Sequence, residues 1–146
     1  MCLKDVIQVY DPPLKNVKVG YKVFFRTHTE VGKLYYWYYD KYGGPQEQGW
    51  NEDKNDYLIT SESEYQYSTG YHIFDDLSAI RIRKTGYSNS FFKREVYKVE
   101  YTNIVAKGMN LGIGKTGKNL NLCFVARKFR LLEQIDPTCY TYISKE

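Results

Sequence analysis

The residues best suited to hold a ligand are two arginines that lie among aromatic residues in strand-like segments. Arg26 and Arg127 both stand in such segments, and a guanidinium fork can grip a phosphate group with two parallel hydrogen bonds. Tyr21, Tyr71 and Phe74 lie in segments of the same kind, and flat rings stack on nucleobases. The combination predicts a site that holds a phosphorylated nucleotide between rings and fixed positive charges.

A second group of positive charges has a plainer expectation. Arg81, Arg83 and Lys84 form the densest basic stretch of the chain. Charge on the outer face of a short element is usually solvated. We therefore expect ordinary surface at this stretch and a ligand contact at Arg26 and Arg127.

A glycine-rich loop offers a further place for a phosphate. Residues 108–118 contain Gly114-Lys115-Thr116, which matches the end of a nucleoside-triphosphate-binding P-loop. That motif needs a glycine five residues before Gly114, where Met109 stands, and a helix after it, where the sequence predicts a strand. We therefore expect a hairpin loop. Its backbone amides and Lys115 can still cup a phosphate without hydrolysing it.

No spacing in the chain predicts a catalytic or metal centre. His28 and His72 have no nucleophile or carboxylate beside them at a recognisable spacing, so we expect one surface histidine and one structural histidine. Cys2, Cys123 and Cys139 are odd in number and far apart, which argues against a zinc site or a disulfide framework. Cys2 can act as an N-terminal nucleophile only beside a base that the sequence does not show. We expect a binding protein without a cofactor or metal.

Five consecutive aromatic residues occupy positions 35–39, in the order Tyr-Tyr-Trp-Tyr-Tyr. In a strand they cannot all point inwards, so one set must face a ligand, a partner protein, a second subunit or the loop at 43–55. Trp50, near the end of that loop, is expected to fold back and cover another part of the protein. The sequence leaves these alternatives open.

Two long strands around the glycine-rich loop are expected to position these residues. Residues 94–106 alternate apolar and polar side chains with period two, which is typical of a strand. Residues 120–132 are more uniformly apolar, as in a strand with both faces buried over part of its length. Further strands are predicted at 17–27, 33–39 and 71–74, and a short helix at 77–84, capped by Asp75 or Asp76.

The two ends of the chain carry separate predictions. Residues 1–13 form either a short strand or a detachable arm that contacts a second subunit, ended by Asp11-Pro12-Pro13 because proline lacks an amide donor. Residues 134–146 form an edge strand or a loose arm. Residues 1–146 together are expected to be a single domain. The predicted fold class is α+β, β-dominated: a single curved or half-barrel antiparallel sheet with one short helix.

Charge and hydropathy narrow the class of partner. Lys and Arg number 21 against 17 Asp and Glu, and the resulting net charge of +4 suits a small anion better than a nucleic acid polymer. The 16 tyrosines suit sheet surfaces and contact faces. The sequence has no signal-peptide pattern and no apolar run of membrane length, so we expect a cytoplasmic protein that does not bind membranes.

Short motifs spread over most of the chain resemble those of a widespread set of short bacterial and prophage proteins. The motifs are Met1-Cys2-Leu3, Val19-Gly20-Tyr21-Lys22-Val23, Gly70-Tyr71-His72-Ile73-Phe74 with Ala79, Val96-Tyr97-Lys98-Val99, Ala106-Lys107-Gly108, and Val125-Ala126 before Phe129-Arg130-Leu131-Leu132. The chain is also similar in type to phage proteins that capture nucleotide immune signals, such as the anti-Thoeris proteins that hold cyclic ADP-ribose isomers between subunits. This likeness implies a homo-oligomer in the cytosol of an infected host cell. It carries over no site residue, because no binding motif aligns.

The expected function is non-enzymatic sequestration of a phosphorylated, cyclic nucleotide signal, which would counter host anti-phage defence. Two alternatives stay open. One is an NAD-binding enzyme of ADP-ribosyltransferase type, in which Tyr71-His72 holds the dinucleotide and Glu95, Glu100 or Glu133 supplies the catalytic carboxylate. The other is a protein that inhibits a host defence factor by binding it through residues 35–39.

Overall fold

The computed structural model describes residues 3–27, 33–36, 43–61, 64–83, 92–114 and 120–142, and it is built from strands. Strands in the described residues are β1 (Asp5–Leu14), β2 (Lys18–Thr27), β3 (Leu34–Tyr36), β4 (Asn51–Glu52), β5 (Leu58–Thr60), β6 (Gln66–Ser68), β7 (Tyr71–Phe74), β8 (Ile80–Arg83), β9 (Phe92–Leu111), β10 (Ile113–Gly114), β11 (Leu120–Gln134) and β12 (Thr141–Tyr142). Two 3-10 turns, Leu77–Ala79 and Pro137–Cys139, are the helical elements of this part of the chain.

The two long strands predicted at the centre are confirmed as β9 and β11. They pair antiparallel from Leu120 opposite Leu111 to Gln134 opposite Tyr97. The middle of β11 is buried on both faces, because neighbouring residues there pack into different apolar clusters. This burial accounts for its weak alternation in the sequence.

The main sheet closes on itself. β2 pairs with β9 along its full length, β7 pairs with β11, and a single pair, Tyr21 opposite Phe74, joins β2 to β7. Strands β9, β11, β7 and β2 therefore form a ring, with β3 continuing from the other edge of β2. Gly20 stands next to the joint, where a Cβ atom would lie 2.6 Å from the carbonyl oxygen of Phe74. The expected curved antiparallel sheet is confirmed.

Two apolar clusters fill the two faces of this ring. One cluster contains Phe24, Leu34, Tyr36, Tyr71, Ile73, Tyr97, Val99, Tyr101, Ile104, Phe124, Ala126 and Phe129. The other contains Val23, Phe74, Val96, Val105 and Val125, together with Leu3, Tyr67, Ile80, Ile82 and Tyr140. Adjacent residues such as Val23 and Phe24 enter different clusters, because successive side chains of a strand point to opposite faces.

The helix predicted at 77–84 is wrong beyond its first turn. Asp76 does act as a cap, since its side chain accepts a hydrogen bond from the Ser78 amide, but the turn ends at Ala79 and β8 begins at Ile80. Ile80 and Ile82 are buried while Arg81 is exposed, which is a strand pattern. β8 pairs in parallel with β10 and β12, and these contacts decide its conformation. Lys84 lies outside the described residues.

The ends of the described chain both join sheets. β1 pairs with β9 and runs through Pro12 and Pro13 to Leu14, so the prediction that these prolines end the strand is wrong. The ladder shifts register between Val9 and Leu14, and at such an irregularity a missing amide donor is tolerated. Near the other end, β12 pairs with β8. No helix among the described residues has the length and apolar character needed to span a bilayer.

Candidate functional site

A cavity of about 540 Å³ lies beside the ring, where β3, β4 and β7 meet the loop of residues 43–50. We call it the loop pocket. Its lining combines aromatic rings with amides and charged groups, and consists of Tyr36, Gly44, Gln46, Trp50, Asn51, Glu52, Asp53, Lys54, Asn55 and Tyr71. Its volume falls within the range of pockets that hold small molecules.

One wall of the loop pocket is an aromatic cluster. The rings of Tyr36 and Tyr71 are 5.6 Å apart, and Phe129 meets Tyr71 edge to face at 4.7 Å. Tyr71 is only 4% exposed, whereas Tyr36 and Trp50 are half-buried. Tyr36 and Trp50 are therefore the more exposed rings of this wall, and Tyr71 packs against Tyr36.

Backbone and side-chain amides shape the loop itself. The Gln46 amide donates to Oδ1 of Asn51 at 2.8 Å, and Nδ2 of Asn51 donates back to the Gln46 carbonyl at 3.1 Å. Nε2 of Gln46 also donates to the Trp50 carbonyl. Asn51 is buried and begins β4, so this reciprocal pair fastens the loop to the sheet. These hydrogen bonds therefore fix the loop in place as one wall of the pocket.

An arginine on β11 positions the Trp50 ring. The Arg130 guanidinium lies 5.0 Å from the centre of that ring, within the range of a cation–π contact. Nε and Nη2 of Arg130 donate to Oε1 of Glu100 on β9, at 3.0 Å and 2.7 Å. The indole is therefore held against the two central strands. This contact confirms that Trp50 folds back over the sheet.

Some polar groups of the loop pocket already form hydrogen bonds within the protein, whereas others form none with the described residues. Asp53 is buried, and its carboxylate accepts hydrogen bonds from the Asn55 amide and the Thr69 hydroxyl. Glu52, Lys54 and Asn55 are exposed, and within the described part of the chain no ion pair or side-chain hydrogen bond engages their side chains. One carboxylate, one ammonium and one carboxamide thus remain available to a ligand.

Arg26, a predicted phosphate contact, is bound to the protein's own carboxylates. Its Nε lies 2.9 Å from both oxygens of Glu95, and its Nη2 reaches Glu47 at 3.0 Å and the Tyr97 hydroxyl at 3.1 Å. Burial alone lowers the pKa of Arg26, but the hydrogen bonds to Glu47, Glu95 and Tyr97 outweigh it and leave the pKa raised. Glu47 belongs to the pocket loop, so Arg26 supports that loop from β2.

Arg127 lies on β11, next to the end of β4. Its Nη1 donates to the Thr69 carbonyl at 2.8 Å, and its own carbonyl accepts from the Asp53 amide at 2.8 Å. These bonds place the backbone of Arg127 next to a residue that lines the loop pocket, although Arg127 is not among the lining residues.

The structure separates the remaining predicted ligand residues. Tyr71 lines the loop pocket. Phe74 and Tyr21 pack with the cluster on the other face of the ring, so they do not share a site with Tyr71. Lys115 lies outside the described residues.

Of the groups named for the enzyme alternative, His72, Glu95 and Glu100 are engaged in structural contacts, whereas Glu133 is exposed. His72 is buried, and its Nε2 lies 3.4 Å from the Tyr67 hydroxyl, which accepts a hydrogen bond from the Leu3 amide. Glu95 pairs with Arg26 and Glu100 with Arg130. Within the described ranges no three His, Cys, Asp or Glu side chains gather to hold a metal ion.

Several pocket residues were not predicted from the sequence. Glu52, Lys54 and Asn55 fall in a charged stretch that is typical of any surface loop. Arg130 was missed because its partner Trp50 is 80 positions away in the chain. Of the run at 35–39, Tyr36 lines the loop pocket beside the loop at 43–55, and residues 37–39 lie outside the described residues.

Comparison with known proteins identifies no relative: no family model matches the sequence, and no curated protein or solved structure is significantly similar to the chain.

Proposed function

We propose that this protein is a non-enzymatic capture protein that binds a small nucleotide-class ligand in the loop pocket. The observation that carries the proposal is the set of aromatic residues Tyr36, Trp50 and Tyr71 around one cavity of about 540 Å³. A base that stacks on Trp50 meets a ring that Arg130 already holds in place, so little ordering opposes binding.

The held geometry of the rings supports capture. Arg130 fixes Trp50, and Tyr71 with Phe129 supports Tyr36. Lys54 supplies a positive group for a phosphate, and the loop that forms the wall is stabilised by Asn51. The ligand leaves as it entered. In an infected cell, this activity would withdraw a phosphorylated nucleotide immune signal from the host defence system.

The wider features of the proposal concern ligand size and assembly. The loop pocket suits one nucleotide, whereas a cyclic dinucleotide or an ADP-ribose isomer is larger and needs a more extensive contact surface. A homo-oligomer that brings a second subunit over the pocket would supply it. Light scattering with and without ligand tests this part separately from binding.

Thermal shift and calorimetric titration against nucleosides, mononucleotides, cyclic dinucleotides, cyclic trinucleotides and ADP-ribose isomers test the proposal. At least one compound should stabilise the protein and be recovered intact by mass spectrometry after denaturation. Trp50→Ala should remove the effect and Trp50→Phe should retain part of it. Tyr65→Ala, which removes an aromatic ring 61% exposed and away from the pocket, should leave binding unchanged. If no compound in the panel binds or stabilises the protein, the capture function is wrong.

A protein-binding role has one observation in its favour. Ile7, Val9, Val17 and Val19 are all between 42% and 57% exposed along β1 and the start of β2. Exposed branched apolar side chains on or next to two strands that pair with the same strand, β9, suit a contact with another protein. A Val17→Asp/Val19→Asp variant that keeps ligand binding but loses a co-purifying host protein would support this role. If co-purification is unchanged, the apolar row is not the contact.

A further inference from the structure

The available polar groups of the loop pocket differ in charge, and they lie two residues apart. Glu52 ends β4, and Lys54 follows it after the buried Asp53. Both line the pocket and both are exposed. A ligand that satisfies both must present hydrogen-bond donors to Glu52 and an anionic group to Lys54.

The charged residues next to Glu52 do not occupy its carboxylate, which remains available to a ligand. Lys128 on β11 stands opposite Glu52 in the ladder, but no ion pair joins the two residues. Asp53 cannot take the place of Glu52, because the Asn55 amide and the Thr69 hydroxyl occupy its two oxygens. Glu52 is therefore the carboxylate of the pocket that a ligand can reach.

A carboxylate discriminates between purine bases by its lack of donors. Ionised Glu accepts hydrogen bonds only. The Watson–Crick edge of guanine offers two adjacent donors, N1–H and the N2 amino group, which match the two carboxylate oxygens. The same edge of adenine offers one donor and one acceptor, so the adenine N1 lone pair would face the carboxylate. A site built around such a group rejects the ligand that leaves it unpaired.

We propose that the loop pocket is selective for guanine mononucleotides, with the base edge on Glu52 and a single phosphate on Lys54. This inference rests on the proposed capture function and names its ligand class. The lining carries one ammonium and two carboxylates, so Lys54 can pair with one phosphate while the excess of negative charge disfavours a triphosphate. The ring of Trp50 contributes to binding any base, whereas Glu52 decides which base binds best.

Titration calorimetry with GMP, IMP, AMP, guanosine and GTP tests the selection. The protein should bind GMP about 10- to 100-fold more tightly than AMP, the range expected for hydrogen bonds to a charged group, with IMP between them because it lacks the amino group. Glu52→Gln should bring GMP and AMP to within about 3-fold, because the amide offers one acceptor and one donor. Lys54→Gln should weaken GMP to the level of guanosine and leave guanosine unchanged.

Matched controls separate the selection from the fold and from the capture function. Glu133→Gln and Lys93→Gln alter exposed charges away from the pocket and should change no ratio. Unchanged thermal unfolding of Glu52→Gln would show that the variant is folded. If nucleotides bind and Trp50→Ala abolishes binding, but GMP and AMP bind equally or Glu52→Gln keeps the preference, the selection is wrong and capture stands. If no nucleotide binds, both proposals fall.

Discussion

Two polar regions border the same loop, and they use their charges in opposite ways. Around Arg26, every hydrogen-bonding group of Glu95 and Tyr97 is directed at another group of the protein. Around the loop pocket, Glu52 and Lys54 face solvent without an ion pair in the described residues. The first region is a closed network, and the second is open to a ligand.

The difference shows why arginine among aromatic residues is a weak guide to a ligand site. Buried arginines need carboxylates, and evolution can supply these from the same chain. Glu95 is 3% exposed and lies opposite Phe24 on the neighbouring strand, so it meets Arg26 inside the protein. Glu52 and Lys54, at exposed positions, have no such partner among the described residues. The candidate site is therefore better located by unused polar groups beside a cavity than by positive charge.

The largest expected effect separates the two predicted arginines. Arg26→Met leaves the buried Glu95 carboxylate without its partner, and the free energy of unfolding should fall by about 3–5 kcal/mol. Arg127→Met removes one hydrogen bond to a carbonyl and should cost about 1 kcal/mol. Chemical denaturation with urea measures both. Equal losses would mean that the Arg26 network is an ordinary surface contact.

The double variant Arg26→Met/Glu95→Met provides the control for that pair. It removes the charge that the single variant leaves unpaired, so it should recover much of the lost stability. A double variant less stable than Arg26→Met would show that packing around Glu95, and not its charge, dominates.

Two buried tyrosines allow a direct comparison between a hydroxyl group that forms hydrogen bonds and one that has no partner among the described residues. The Tyr97 hydroxyl donates to Glu95 and accepts from Arg26, and burial raises its pKa. Tyr97→Phe should cost about 1.5–3 kcal/mol, as for hydrogen bonds to charged groups. The Tyr101 hydroxyl is fully buried and has no hydrogen-bond partner among the described residues. Tyr101→Phe should leave the unfolding free energy unchanged or raise it by up to about 1 kcal/mol.

Denaturation of the two variants under the same conditions gives the answer. A clear loss for Tyr101→Phe would reveal a partner for that hydroxyl, such as a bound water. No loss for Tyr97→Phe would mean that the network around Arg26 does not depend on the hydroxyl.

The support of the pocket loop gives a smaller effect. Arg130→Ala removes the contact under Trp50 and the exposed ion pair with Glu100, which together contribute roughly 1 kcal/mol. Hydrogen exchange should speed up at the Gln46 amide, whose bond to Asn51 lies within the loop. It should stay slow at the Asp53 amide, which is bonded to β11. Equal protection of both amides in the variant would show that the loop stands without Arg130.

The framework was easier to predict from the sequence than the site. Period-two alternation located β2 and β9, because successive side chains of a strand point to opposite faces. β7 was predicted as a short strand without such alternation, and all four of its residues are buried. The helix at 77–84 failed because capping by Asp76 is a local signal that one turn satisfies, while Ile80 and Ile82 are drawn into β8 by strands far away in the chain. Tertiary pairing outweighed local preference there.

The site depended on contacts that no local pattern encodes. Tyr71 was predicted and does line the loop pocket, since a ring on a strand must reach one face or the other. Arg130 and Trp50 are in contact only because the folded chain brings β11 next to the loop. The contact between Arg26 and Glu95 could not be predicted either, because Glu95 comes within reach only once β2 and β9 are paired, with Glu95 opposite Phe24.

The smallest expected effect concerns acid stability and the two capped turns. Asp76 accepts a hydrogen bond from the Ser78 amide and Asp136 from the Thr138 amide, and these bonds lower the pKa of both carboxyl groups. A lowered pKa in the folded state means that the stabilisation is complete above the ordinary pKa and is lost as the pH falls through the folded value. The unfolding midpoint should therefore decline as the pH drops below about 4. Asp76→Asn/Asp136→Asn keeps two acceptors that do not titrate, so its midpoint should change less over that range. The wild-type and variant curves should run parallel above about pH 5. If they stay parallel down to pH 2, the acid sensitivity comes from other carboxylates.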